Sequence, residues 1–174
     1  IREIREIRGQ NNAAITRPVT VGMNVTAPAV IAQRDISYVM DCVREGRFES
    51  KDLRGLISTI RGLGERQAGI ANGMKRSLPW FSGSTFNLRR ANDRFKAAWF
   101  MVFDIDHVKD IPGLKAKAVE KLAYVRHAFQ SVRDGVKLVA EFSSPITREE
   151  DFRAIWKYLA LQIEHTLKVT VDAT

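Results

Sequence analysis

Apolar residues recur along this chain in two rhythms, and the changes between them mark out its elements. From Arg17 to Ala27 they alternate, with Val19, Val21, Met23 and Val25 on one face of a half-buried strand bracketed by Pro18 and Pro28. From Asp35 to Arg44 the spacing becomes helical, with Ile36, Val39, Met40 and Val43 at i, i+3, i+4 and i+7, and Gly46 suits the position just past the helix end. A short turn leads to a second helix, capped by Ser50, that turns Leu53, Leu56, Ile57, Ile60 and Leu63 inward and stops at Gly64. Between Gly69 and Asn92 the period is lost. The stretch is rich in Gly, Ser, Asn and Arg and reads as loops around one short strand near Met74 to Phe86.

Periodicity returns with Ala97-Ala98-Trp99-Phe100-Met101-Val102-Phe103-Asp104-Ile105-Asp106-His107, a buried central strand too short for a membrane span. After Pro112-Gly113, a third helix turns Leu114, Ala118, Val119, Leu122 and Val125 inward. Ala128 to Val132 and Val136 to Phe142 read as two strands joined by a tight turn at Arg133-Asp134-Gly135, and Ser143-Ser144-Pro145 ends the pair. Thr147-x-x-Glu150 is a capping box opening a helix that buries Phe152, Ile155, Trp156, Leu159 and Ile163. Leu167 to Val171 reads as a last strand ending in Asp172. This order predicts an α+β fold with a mixed or antiparallel sheet and helices on one face. Residues 1–17 are a flanking segment whose Ile-Arg-Glu repeat fits either a strand or the end of an upstream helix.

Composition narrows the class. The 174 residues suffice for one domain with a sizeable core, and 45% hydrophobic with 28% charged residues is ordinary for a soluble globular chain. A start at Ile1 reads as a fragment of a longer protein; no secretory signal is visible, and the expected location is cytoplasmic. Cys42, alone, excludes an internal disulfide framework and a cysteine-based zinc site; its apolar helical setting suits a core thiol. The net charge of +8 favours polyanionic partners, and no membrane partner is expected. The surplus is dense where Lys75, Arg76, Arg89, Arg90, Arg94 and Lys96 interleave with Trp80, Phe81, Phe86 and Phe95. Cations neutralise phosphates and aromatic rings stack on unpaired bases, although basic loops also occur in proteins that bind no nucleic acid.

Three features carry chemistry. Asp104 and Asp106 project from one face of a strand end, where paired carboxylates repel and resist desolvation; Mg²⁺ or Mn²⁺ relieves both costs. A lone Asp-x-Asp is also a common solvated turn or cap. Ser131-Val132-Arg133-Asp134-Gly135-Val136-Lys137 combines a turn-forming glycine, a hydroxyl and two cations, which suits either a phosphate cradle or an ordinary charged hairpin. Asp172, after an apolar stretch, is the candidate third carboxylate of a two-ion site. His107 fits either a structural role or contact with nucleotide.

Lys75-Arg76-x-Leu78-Pro79-x-Phe81-Ser82-Gly83-x-x-Phe86, then Val102-Phe103-Asp104-Ile105-Asp106-His107, then Ser131-x-Arg133-x-Gly135-x-Lys137-Leu138-Val139 resembles, as an ordered set, the catalytic core of the archaeo-eukaryotic primase superfamily. The nearest clade is that of CRISPR-associated primase-polymerases and of plasmid and phage replication proteins. The resemblance spans roughly Val19 to Asp172. It implies an RRM-like mixed or antiparallel sheet with packed helices and an N-terminal α/β part. It further implies two Mg²⁺ or Mn²⁺ ions on Asp104, Asp106 and Asp172. Nucleoside triphosphate phosphates would lie on Ser131, Arg133, Gly135 and Lys137, with Lys137 where many members carry histidine. Lys75, Arg76, Arg89 and Arg90 are the candidate contacts to single-stranded DNA template and primer, and further domains or CRISPR or replication proteins are possible partners. The implied activity is template-dependent primer synthesis and extension.

The alternatives are a non-catalytic single-strand-binding module, a cyclase-like enzyme acting on free nucleotides, and a replication-initiator endonuclease on a related fold. The last wants a His-x-His pair, whereas His107, His127 and His165 are scattered.

Overall fold

A computed structural model describes residues 17–24, 32–87, 90–91 and 94–172. The flanking segment up to Thr16, the Val25 to Ala27 end of the first expected strand, Pro28 and Arg89 lie outside the described residues.

The N-terminal half builds one layer. Strand β1 (Pro18–Gly22) lies between β2 (Ala32–Asp35) and β5 (Trp80–Ser82), antiparallel to both. Strand β1 is paired at both edges and covered on both faces: Thr20 is as buried as Val19 and Val21, and Met23 lies exposed beyond the strand. Simple alternation therefore gives the wrong picture of this strand. Helix α1 (Ile36–Glu45) starts where Asp35 accepts the Ser37 N–H and ends at Gly46 in the left-handed region, as its spacing predicts, although Val43 stays exposed. The expected plain turn to the next helix is instead a small ribbon of β3 (Arg47–Phe48) and β4 (Lys51–Asp52). Helix α2 (Arg54–Gly62) takes its cap from Asp52, which accepts the Arg54 N–H, not from Ser50. A 3₁₀ turn (Glu65–Gln67) follows, and helix α3 (Ala68–Lys75) occupies part of the stretch read as loop.

The C-terminal half forms a second antiparallel sheet in the order β6 (Ser84–Phe86), β7 (Phe95–Ile105), β9 (Val136–Ile146) and β8 (Val125–Gln130). Strands β7 and β8 both run against β9, so they are parallel to each other and joined across it by α4 (Ile111–Lys121). Helix α4 starts earlier than expected and is capped by Asp110; Val119 faces solvent and Val125 already belongs to β8. Strand β9 runs past Phe142. Its register with β7 jumps so that residues 142–145 lie opposite Trp99, a bulge that tolerates Pro145 because no ladder N–H is needed there. Helix α5 (Glu149–Leu167) is flanked by Arg148, without the expected capping box, and its first turn carries Glu149, Glu150 and Asp151, favourable at the positive end of the helix dipole. It continues through Leu167, so the last expected strand is absent and residues 169–172 are irregular.

One face of this sheet, with Met101, Phe103, Ile105, Leu138 and Ala140, packs on Leu114 and Ala118 of α4 and on Leu159 and Ile163 of α5. The Phe103 and Trp156 rings stack at 5.7 Å. The other face presents Phe100 and Val139 to Val19, Val21, Val39 and Ile60. The helices on one face are thus α4 and α5, while the N-terminal layer covers the other. Gly83 alone joins β5 of one sheet to β6 of the next. A Cβ there would collide with the Phe100 backbone, so the crossover needs glycine.

Candidate functional site

The end of β7 positions the first acid. Phe103 and Ile105 turn into the helical core, so Asp104 faces the opposite side, directly across from Lys137 in the β9 register. The Lys137 ammonium donates to Asp104 Oδ2. Asp104 Oδ1 is buried and accepts no hydrogen bond. Asp106 lies one residue beyond the strand. Its carboxyl is pushed above the usual aspartate range by partial burial first, then by the charges of Asp104 and Asp172, with Lys75 and His107 opposing. Asp172 is brought alongside by its own backbone, whose N–H donates to the Asp104 carbonyl at 2.9 Å. A helix and an irregular tail thus deliver Asp172 where a strand was expected.

Among the described residues, no three His, Cys, Asp or Glu side chains form by themselves a group that could hold a metal ion. The donors present nevertheless suit a hard cation. Asp104 offers a buried carboxylate oxygen without a partner, and Asp106 bears a charge that its neighbours disfavour. Mg²⁺ usually retains several waters and takes one or two carboxylates plus phosphate oxygens, so a full protein cage is not required.

The segment linking β8 and β9 is longer than the tight turn expected, spanning 131–135. Ser131 organises it: its N–H donates to the Gly135 carbonyl at 2.8 Å, and its Oγ accepts the Gly135 N–H at 3.1 Å and the Arg133 N–H at 3.4 Å. Gly135 lies against the strand exit, where a Cβ would stand 2.6 Å from the Ile105 carbonyl oxygen and 2.9 Å from Asp106 Oδ1. The Val108 N–H donates to the Asp134 carbonyl at 2.8 Å. His107 does not enter the core: it adopts φ 56°, is 87% exposed at its side chain, and places Nδ1 2.9 Å from Asp134 Oδ2. That contact holds the Asp134 carboxyl below its ordinary value.

Arg61 on α2 was not indicated by the sequence. Its Nη2 donates to the Ser131 carbonyl at 3.1 Å and its Nε to the Val132 carbonyl at 3.3 Å. An arginine on the polar side of an amphipathic helix gives no sign of such a contact.

The remaining basic candidates spread outward. Lys75 ends α3 near enough to Asp106 to oppose the rise in its pKa, while Arg76 beside it is exposed. The Arg90 guanidinium lies 4.8 Å from the Trp80 ring centroid, and the Trp80 indole N–H donates to the Asn24 carbonyl at 2.8 Å. A cleft of about 900 Å³ runs from Asp104 and Lys137 past Arg90 to Phe152, Arg153 and Lys157 of α5. Arg153 and Lys157 were also missed by the motif reading, because they belong to a helix recognised only by its apolar face.

No family model, curated protein or solved structure matches this chain. No helix among the described residues is long and apolar enough to cross a membrane.

Proposed function

We propose that this chain catalyses template-dependent nucleotidyl transfer, making and extending primers on single-stranded DNA in the manner of the archaeo-eukaryotic primases it resembles. The observation that carries the reading is the placement of Asp104, Asp106 and Asp172 at one strand end, facing Lys137 and the 131–135 loop. The order β7, α4, β8, β9, α5, followed by a segment returning beside β7, supports an RRM-like arrangement, a split βαβ unit with its last strand reduced to the contact at Asp172.

Asp104, Asp106 and Asp172 are the residues that would hold Mg²⁺ or Mn²⁺, two ions in the full site. When bound, the metal supplies Lewis-acid activation of a 3′-hydroxyl and charge neutralisation at the phosphates. The carboxylates act as ligands and not as general bases. Lys137 presents an ammonium on the Asp104 face, where a triphosphate oxygen would meet it, and Arg133 adds a second cation on the loop. His107 braces that loop through Asp134. The cleft beyond Asp104 supplies cations and aromatic surface suited to a nucleic-acid strand.

A second reading, a non-catalytic single-strand-binding module, draws on two observations. Lys137 already neutralises Asp104, and no three described acids or histidines form a ready metal cage.

Primer synthesis from labelled nucleoside triphosphates on single-stranded DNA, with Mg²⁺ or Mn²⁺, separates the two readings. Product from the wild type and none from Asp104→Ala/Asp106→Ala is expected. Undiminished product from the double variant would remove the carboxylates from the chemistry. Absence of both product and cation-dependent nucleotide binding would leave the binding module.

A further inference from the structure

We propose that Arg61 is a positioning residue that sets the shape of the 131–135 loop from the opposite layer of the molecule. The inference rests on the reading of that loop as the phosphate cradle, but its geometry stands independently. Ile60, fully buried, pins α2 into the N-terminal core, and the adjacent Arg61 reaches across to a loop 70 residues further along the chain. Its guanidinium bonds two consecutive carbonyls, Ser131 at 3.1 Å and Val132 at 3.3 Å. In a trans peptide, C=O and the following N–H point in opposite directions. Holding the two carbonyls toward Arg61 therefore turns the Val132 and Arg133 N–H groups away from it, and the Arg133 N–H is the group directed at Ser131 Oγ. One side chain thereby orients two peptide planes of the loop that carries Ser131, Arg133 and Gly135.

The fork geometry matters more than the charge. Lysine is a compact point charge and does not reproduce a planar two-donor grip. Arg61→Lys and Arg61→Met are the discriminating pair, read first by amide hydrogen exchange and then by affinity for a Mn²⁺·nucleoside triphosphate and for single-stranded DNA. Both variants should raise exchange at the Arg133 and Gly135 amides about tenfold, as expected for loss of hydrogen bonds from a charged donor, with β7 amides unchanged. Both should weaken nucleotide binding by a similar factor and leave DNA binding intact. Wild-type exchange and affinity in Arg61→Lys would overturn the proposal, because charge alone would then suffice. A wild-type protein that binds no nucleotide would fail the cradle reading, while the exchange data would still decide the positioning role.

Discussion

Asp106 shows what one side chain endures at a crowded strand end. Partial burial and the charges of Asp104 and Asp172 all disfavour its ionised form, and Lys75 and His107 offset only part of this. Its folded pKa therefore exceeds the unfolded value of about 3.9. Between those two values the native state binds more protons than the unfolded chain, so stability falls as pH rises through the window and the loss persists above it. Asp106→Asn should raise the melting temperature at neutral pH and flatten the acid-side slope, measured by thermal unfolding across a pH series without divalent cation. A lower melting temperature at neutral pH would show that the carboxylate is held by attraction and not repulsion. Alternation along β7 puts Asp104 on the face opposite Phe103 and Ile105, whereas Asp106 lies just past the strand end, near enough to Asp104 and Asp172 for their charges to act on it. Pairing Lys137 with Asp104 needs the β7–β9 register, and Arg61 needs the packing of two layers; neither is encoded in local spacing.

Among the elements, the loop between β8 and β9 is the most tightly specified. Ser131 knots it internally, and Asp134 ties it to the strand exit through Val108 and His107. Gly135→Ala would bring a methyl group within 2.6 Å of the Ile105 carbonyl oxygen, which is backbone and cannot rotate aside. We expect a loss of about 1–3 kcal/mol, read by denaturant unfolding, together with weakened nucleotide binding; unchanged stability and binding would show that the loop relaxes freely. Helices α1, α4 and α5 were legible because their buried positions recur with helical spacing. Helix α3 was not: Gly69 and Gly73 sit on its open side with nothing near their Cβ positions, so its composition resembles a loop while Ala71 alone is fully buried. The apolar run at Leu167 to Val171 misled in the other direction, because its first residue completes the buried face of α5.

At the scale of the whole molecule, the net charge of +8 acquires a direction. Lys137, Arg90, Arg153 and Lys157 all line the cleft that opens from Asp104, although Glu149 pairs with Arg153 and tempers the field. Single-strand affinity should fall linearly on a log–log plot against salt, and Lys157→Ala should reduce that slope by about one phosphate contact. A slope unaltered by the substitution would place the strand elsewhere. The α+β class was readable from the order of elements. The two-sheet division was not, because the switch of sheets occurs at one residue inside a stretch without periodicity.

That switch has a mechanical consequence. Between β5 and β6 the polypeptide has no slack: Gly83 passes from one sheet to the other while pressed against the Phe100 backbone. A joint of this kind behaves as a rivet, not a hinge. The layer that contributes Arg61 and Lys75 and the layer that contributes the carboxylates cannot slide apart there. The N-terminal half is a fixed jaw, and the placement of Arg61 at the 131–135 loop and of Lys75 near Asp106 is built into the covalent path of the chain.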